Sequence, residues 1–193
     1  VIGFPKSGNT WLTRLLSDAL NSNLYTPPND PVTGAENSKE KNGKYIIYKK
    51  HTEGEKSQFL SAKKIYILRD PRAVFVSAFF HNYRHINNKL IKNSFFHRSL
   101  FNFEISNLNM AWDNTISAYK NWLKVRLSGN FEKFDRVGNW SEHVDYFTNY
   151  EDVHVVVYEE LLKNTQKELE LMQHKFSFDY AGNIEDLVDK NSF

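Results

Sequence analysis

Gly3-Phe4-Pro5-Lys6-Ser7-Gly8-Asn9-Thr10-Trp11 stands between two segments of different periodicity. Val1 and Ile2 before it read as the end of a buried strand. From Trp11 onward apolar residues fall at 11, 12, 15, 16, 19 and 20, the spacing of one helix face. A glycine-bracketed loop thus joins a strand to a helix N-terminus. That geometry aims backbone N–H groups, and about half a positive charge from the helix dipole, at one point. Gly3 and Gly8 permit backbone conformations and close approaches that a Cβ forbids. Lys6 adds charge, and Ser7 and Thr10 add hydroxyls. The loop suits a phosphate or sulfate; the bland alternative is an ordinary strand-to-helix turn. The G-x4-G spacing matches the ATP-binding loop, but Asn9-Thr10 stands where that motif has Lys-Ser/Thr, and the lysine lies inside the loop instead.

The chain of 193 residues is read as a single domain, 1–193, trimmed at both ends because it opens in mid-strand without Met. Such a length buries about 70 % of its unfolded surface. Fifteen Phe, ten Tyr and four Trp supply a core and leave aromatics for a pocket. The net charge of +2 suits an anionic ligand, and the absence of a Lys/Arg-rich tail argues against nucleic acid. No apolar run reaches membrane-spanning length. The absence of cysteine agrees with a reducing compartment, and the chain is read as cytoplasmic.

In order, Tyr25 to Gly43, with three Pro and two Gly, reads as a loop. Tyr45 to Tyr48 is a short strand running into Lys49-Lys50-His51, and Ile65 to Leu68 another, running into Arg69-Asp70-Pro71. Asp70 as N-cap and Pro71 at the first helical position start a helix carrying Val74, Ser77 and Phe80 or His81. Asn82 to Met110 reads as irregular and Phe-rich. Ala111 to Leu127 reads as an amphipathic helix, Val153 to Tyr158 as a buried strand, and Glu159 to Phe176 as the helix after it. Asn183 caps a last short helix that stops at Asn191. The β-α, β, β-α, β-α order points to an α/β, P-loop-like three-layer fold with a mostly parallel sheet flanked by helices. Ligands of such sheets sit beyond the carboxyl ends of the strands. Lys6 to Thr10, Lys49 to His51, Arg69 and Tyr158 all fall there.

These residues carry a resemblance. Pro5 to Trp11 resembles the P-K-S-G-T-T-W loop of the cytosolic-type sulfotransferases, and Lys49-Lys50-His51 their K-T-H segment. Tyr66 to Ser77 resembles their 3′-phosphate motif, and Gly138 to Val144 their G-S-W-x-x-H-V. Val157-Tyr158-Glu159-Glu160 with Lys163-Asn164 resembles Y-E-D, and Ser192-Phe193 resembles T-S-F. Six motifs in order span nearly the whole chain. The R-K-G-x-x-G-D-W segment of the family is absent from it.

The resemblance implies an enzyme moving a sulfuryl group from 3′-phosphoadenosine 5′-phosphosulfate (PAPS) to a hydroxyl or amine, leaving adenosine 3′,5′-bisphosphate (PAP), with no metal. It implies Lys6, Ser7, Gly8, Asn9 and Thr10 around the 5′-phosphate, and Arg69 with Ser77 on the 3′-phosphate. Trp11, Tyr158 and Phe193 are candidates for the adenine slot. His51 is the implied general base, and Lys49 the lysine beside the transferring group. Asn9 replaces the usual hydroxyl residue and Lys50 the usual Thr; which of Lys49 and Lys50 faces the site is open. The Tyr25–Gly43 loop and Phe95, Phe96, Phe101 and Phe103 are read as lining the acceptor pocket, for an apolar or aromatic alcohol, phenol or amine. A P-loop kinase or ATPase, with Asp70 holding Mg²⁺, and a non-catalytic nucleotide-binding module are the rival readings. His81 and His85, four apart, lack a visible third metal ligand. Oligomeric state is not readable.

Overall fold

The structure, a computed structural model, describes residues 1–25, 41–51, 62–87 (81–87 by backbone alone), 140–150 and 152–191. It divides into two units, one of Val1–Arg69 with Val144–Phe193 and one of Asp70–His143. The expected Ala111–Leu127 helix, most of the Tyr25–Gly43 loop, the four Phe of the acceptor region, Ser192 and Phe193 lie outside the described residues.

The first unit is built on parallel strands. Strand β1 (Ile2–Gly3) pairs with β4 (Lys64–Leu68), which pairs in turn with β5 (Val153–Val157). A second parallel pair, β2 (Asn23–Tyr25) with β3 (Ile46–Tyr48), meets the first through a bridge between Ile2 and Lys50. There the Val1 nitrogen donates to the Tyr48 carbonyl at 2.7 Å, and the Lys50 N–H to the Val1 carbonyl at 2.9 Å. Strand β2 was not foreseen: Tyr25 ends it rather than starting a loop. Three polar-flanked residues carry little periodicity, and the strand is held from outside. Asn23 Oδ1 accepts from the Lys41 N–H and its Nδ2 donates to the Lys41 carbonyl.

Strand β4 is apolar on both faces, as parallel strands between helices must be. Ile65 and Ile67 face one core with Leu12, Leu15 and Leu16 of α1 (Asn9–Ala19), Val156, Leu161, Leu169 and Met172. Tyr66 faces the other side, stacked on Phe147 with centroids 5.2 Å apart and planes 14° from parallel. Burial pushes its phenol up, so it stays neutral.

The helix expected over Glu159 to Phe176 is two helices, α4 (Tyr158–Lys163) and α5 (Thr165–Phe176). Asn164 interrupts them: its Oδ1 accepts the Lys167 N–H at 3.0 Å and restarts the helix as an N-cap. The apolar spacing concealed the break, since Leu161, Leu169 and Met172 all stay on the buried side. Helix α6 (Ile184–Asn191) follows, with Asn183 Oδ1 accepting the Glu185 N–H as its cap, as the sequence predicts. Asp18 on α1 pairs with Lys41 at 2.6 Å and Lys190 at 3.1 Å, which pins α6 against α1. Burial works to raise the Asp18 carboxyl, but the two lysines prevail and hold it below its ordinary value.

In the second unit, α2 (Pro71–Asn87) begins where the sequence places it. Asp70 Oδ1 accepts the Arg72 N–H at 2.8 Å, and Pro71 takes the first helical position. The helix runs past Asn82, where irregular structure was expected. Polar residues weaken its stripe, but no Gly or second Pro stops it before Asn87. Helix α3 (Trp140–Thr148) precedes β5.

Leu169→Ala, at a fully buried position, is expected to lower unfolding stability by about 2–5 kcal/mol. Urea denaturation should show the midpoint moving while the slope holds.

Candidate active site

The loop between β1 and α1 is shaped by two left-handed residues, Lys6 at φ 71° and Gly8 at φ 102°. The Ser7 N–H turns back to the Phe4 carbonyl at 3.1 Å, and the helix opens with Leu12 N–H on the Gly8 carbonyl at 3.1 Å. Gly8 is the N-cap and offers no side chain to cover the helix end. The N–H groups of a first helical turn have no partner within the helix, so they face the loop. Glycine is required at 8 for two reasons. Its φ disfavours other residues, and a Cβ there would stand 2.5 Å from the Tyr158 ring. Gly3 is equally confined, because a Cβ would meet Ile67 of β4 and Asn9 Oδ1.

Three other segments close on this loop. From the end of β4, Arg69 donates from Nη1 to the Lys6 carbonyl at 3.0 Å, and its guanidinium lies 4.2 Å from the centroid of the Tyr158 ring. Among the described residues no carboxylate pairs with Arg69. From the end of β5, Tyr158 also meets Trp11 edge to face at 5.8 Å. Trp11 in turn donates from Nε1 to the Asn191 carbonyl at 3.3 Å, bringing the end of α6 to the site. From beyond β3, His51 places Nδ1 2.8 Å from the Gly3 carbonyl. A carbonyl only accepts, so a hydrogen bond there needs the proton on Nδ1, the tautomer that leaves the lone pair on Nε2.

Of the residues expected from sequence, Lys6, Ser7, Gly8, Asn9, Thr10, Trp11, Arg69, Tyr158 and His51 therefore lie on or around one loop. Lys49 and Lys50 are half-buried where β3 runs out, and Lys50 enters through its backbone, accepting from Asn9. Ser77 is half-buried on α2 in the other unit. Asp70 serves as a cap and pairs with Arg72, which holds its carboxyl near 2. The side-chain amide of Asn9, expected at the phosphate, donates to the Gly3 carbonyl at 2.9 Å and the Lys50 carbonyl at 3.1 Å. Nothing in the local pattern signals that turn, because strands β1 and β3 meet only in space.

Ser7 Oγ and Arg69 Nε are buried without a hydrogen-bond partner among the described residues. Each unmet buried donor costs about 1–3 kcal/mol. With Lys6 and the helix-end amides they make a donor set that fits phosphate groups. No group of three or more His, Cys, Asp or Glu poised for a metal stands among the described residues.

Residues 1–193 match the profile of the sulfotransferase domain. The chain belongs to the sulfotransferase family. Its fold is similar to that in the crystal structure of mouse sulfotransferase SULT7A1 complexed with PAP, with a TM-score of 0.61 at 22% identity. The match covers 99% of this chain and 62% of the mouse chain, so this sulfotransferase chain spans less than two thirds of that relative. No curated protein matches it.

Gly8→Ala is expected to cost about 1–2 kcal/mol from the left-handed backbone alone, and more from displacing the Tyr158 ring. Gly8→Asn, a residue that tolerates this backbone better, should lose less backbone energy but keep the ring clash. A denaturation midpoint for either variant equal to that of the wild type would contradict this packing.

Proposed function

We propose that residues 1–193 form one sulfotransferase domain that transfers a sulfuryl group from PAPS to a hydroxyl or amine of a small acceptor. The observation carrying this reading is that Lys6, Arg69 and the ring of His51 all lie on or against one loop, where the parallel strands end. The neighbour of similar fold that holds PAP adds support.

When bound, PAPS supplies a sulfuryl group on a phosphate leaving group. The loop amides of Ser7 to Thr10, with Lys6 and the Ser7 hydroxyl, hold the 5′-phosphate side and stabilise the negative charge that grows there. Donors fixed in advance and aimed at developing charge are commonly the largest catalytic contribution. Arg69 takes the 3′-phosphate, and Ser77 is proposed for the same phosphate from the sequence motif alone. The rings of Trp11 and Tyr158, with Phe193, take the adenine. His51 Nε2 removes the acceptor proton, and the resulting imidazolium keeps its Nδ1–H bond to Gly3. Lys49 neutralises the transferring oxygens. The charges needed are supplied by side chains and amides, so a divalent metal is not required.

The acceptor proposed from the Phe-rich sequence that includes Phe95, Phe96, Phe101 and Phe103 is a small apolar or aromatic alcohol, phenol or amine. No helix among the described residues is long and apolar enough to cross a membrane. Membership of the sulfotransferase family and the resemblance to its cytosolic-type members support placement in the cytoplasm.

His51→Ala should lower kcat by about 10²- to 10⁴-fold, the contribution of a general base, while PAP affinity by calorimetry changes little. Lys6→Met and Arg69→Lys should instead weaken PAP binding about tenfold or more, Arg69→Lys because a lysine lacks the planar fork. Turnover should survive EDTA. Failure of the wild type to transfer label from PAPS to any of a broad acceptor panel, or a wild type giving no heat with PAP, would reject the reading.

A further inference from the structure

Asn9 is the first residue of α1, and only 4% of it is exposed. Its side chain turns away from the phosphate loop and toward the sheet. Nδ2 lies 2.9 Å from the Gly3 carbonyl, 3.1 Å from the Lys50 carbonyl and 3.2 Å from His51 Nδ1. The amide has two hydrogens, and two carbonyls stand ready for them. Turning the amide over would set Oδ1 against both carbonyl oxygens, so the nitrogen must occupy this place. Oδ1 is left buried without a partner among the described residues, beside the Cα of Gly3, which carries no Cβ.

The tautomer of His51 follows from the same four atoms. If Nδ1 held the lone pair and accepted from Asn9, that lone pair would face the Gly3 oxygen at 2.8 Å, and one carbonyl would lose its hydrogen. If Nδ1 carries the proton, every hydrogen has an acceptor: Gly3 takes two and Lys50 one. A carbonyl oxygen has two lone pairs and accommodates both bonds. The Lys50 carbonyl belongs to the peptide leading into His51, so Asn9 grips the histidine twice, once through its backbone and once through the carbonyl that orients its ring.

We propose that Asn9 is a positioning residue: its amide clamps the Gly3 and Lys50 carbonyls and thereby holds His51 with Nδ1 protonated and Nε2 as the basic nitrogen. The catalytic meaning of this clamp rests on the base role given to His51 above, but the clamp itself is readable without turnover. Asn9 also begins the helix whose amides face the phosphate loop. The residue that shapes the anion site therefore also fixes the proton acceptor.

The test uses the whole chain. Long-range ¹⁵N–¹H NMR of the ring of His51, identified by its loss in His51→Ala, reads the tautomer directly. The wild type should show Nδ1 protonated at pH above the titration of the ring. Asn9→Ala should give a mixture of tautomers and a kcat lower by about tenfold, with PAP affinity by calorimetry changed less than about threefold. Asn9→Ser, which keeps one donor, should fall between and serves if the alanine variant does not fold. A wild-type ring protonated mainly on Nε2 would overturn the proposal. So would Asn9 variants that fold, keep the wild-type tautomer and lose kcat and PAP affinity in parallel, the pattern of a purely structural residue. An intact Nδ1–H signature in a wild type that transfers no sulfuryl group would count against the base role and for the clamp.

Discussion

The parallel ladder of β4 between β1 and β5 is the constraint on which the described site rests. Parallel strands finish at the same edge, so the residues that follow them are delivered together: Phe4 to Gly8 after β1, Arg69 after β4 and Tyr158 after β5. The register is fixed by burial on both faces. A slip of one residue would carry Tyr66 into the core of Ile65 and Ile67, and Ile67 onto Phe147. Each strand end is thereby fixed in depth as well as in direction. Gly3 shows how close the fit is, since its neighbour Ile67 leaves no room for a methyl group. The site's geometry is a consequence of sheet packing and not of the loops alone.

Within that frame Arg69 is tied to the loop. Lys6 and Arg69 sit close enough that the guanidinium donates to the lysine's own carbonyl. Tyr158 offers its ring face to Arg69, an interaction worth about 0.5–2 kcal/mol. The same ring occupies the space that a side chain at position 8 would need, so it serves the glycine loop and the arginine at once. Helix α6 reaches this corner through the bond from Trp11 to Asn191, and the pairing of Lys190 with Asp18 holds it there.

Much of this was legible in the sequence because it is local. Strand ends, the Asp70 and Asn183 caps and the left-handed glycine each depend on a few neighbouring residues, and the parallel class follows from the alternation of strands and helices. What escaped depends on pairing across space. Strand β2 exists because Lys41 and β3 hold it. The gap at Asn164 is invisible to periodicity, since the buried face continues through it. Asn9 is the sharpest case: its residue type marks a departure from the hydroxyl expected, but its partners come from positions 3, 50 and 51. Only the bridge between Ile2 and Lys50 brings those together.

A backbone carbonyl facing His51 Nδ1 has a physical logic of its own. Histidine bases are often oriented by a carboxylate, which both fixes the tautomer and stabilises the imidazolium. A carboxylate beside β1 would lie next to the loop proposed to hold phosphate, and two like charges 4 Å apart repel by about 4 kcal/mol at an effective dielectric near 20. The Gly3 carbonyl orients the ring without that charge. It gives up part of the stabilisation a carboxylate offers the protonated ring. A proposed donor carrying several negative charges supplies some of it in return, because an imidazolium formed near anionic groups is favoured by them.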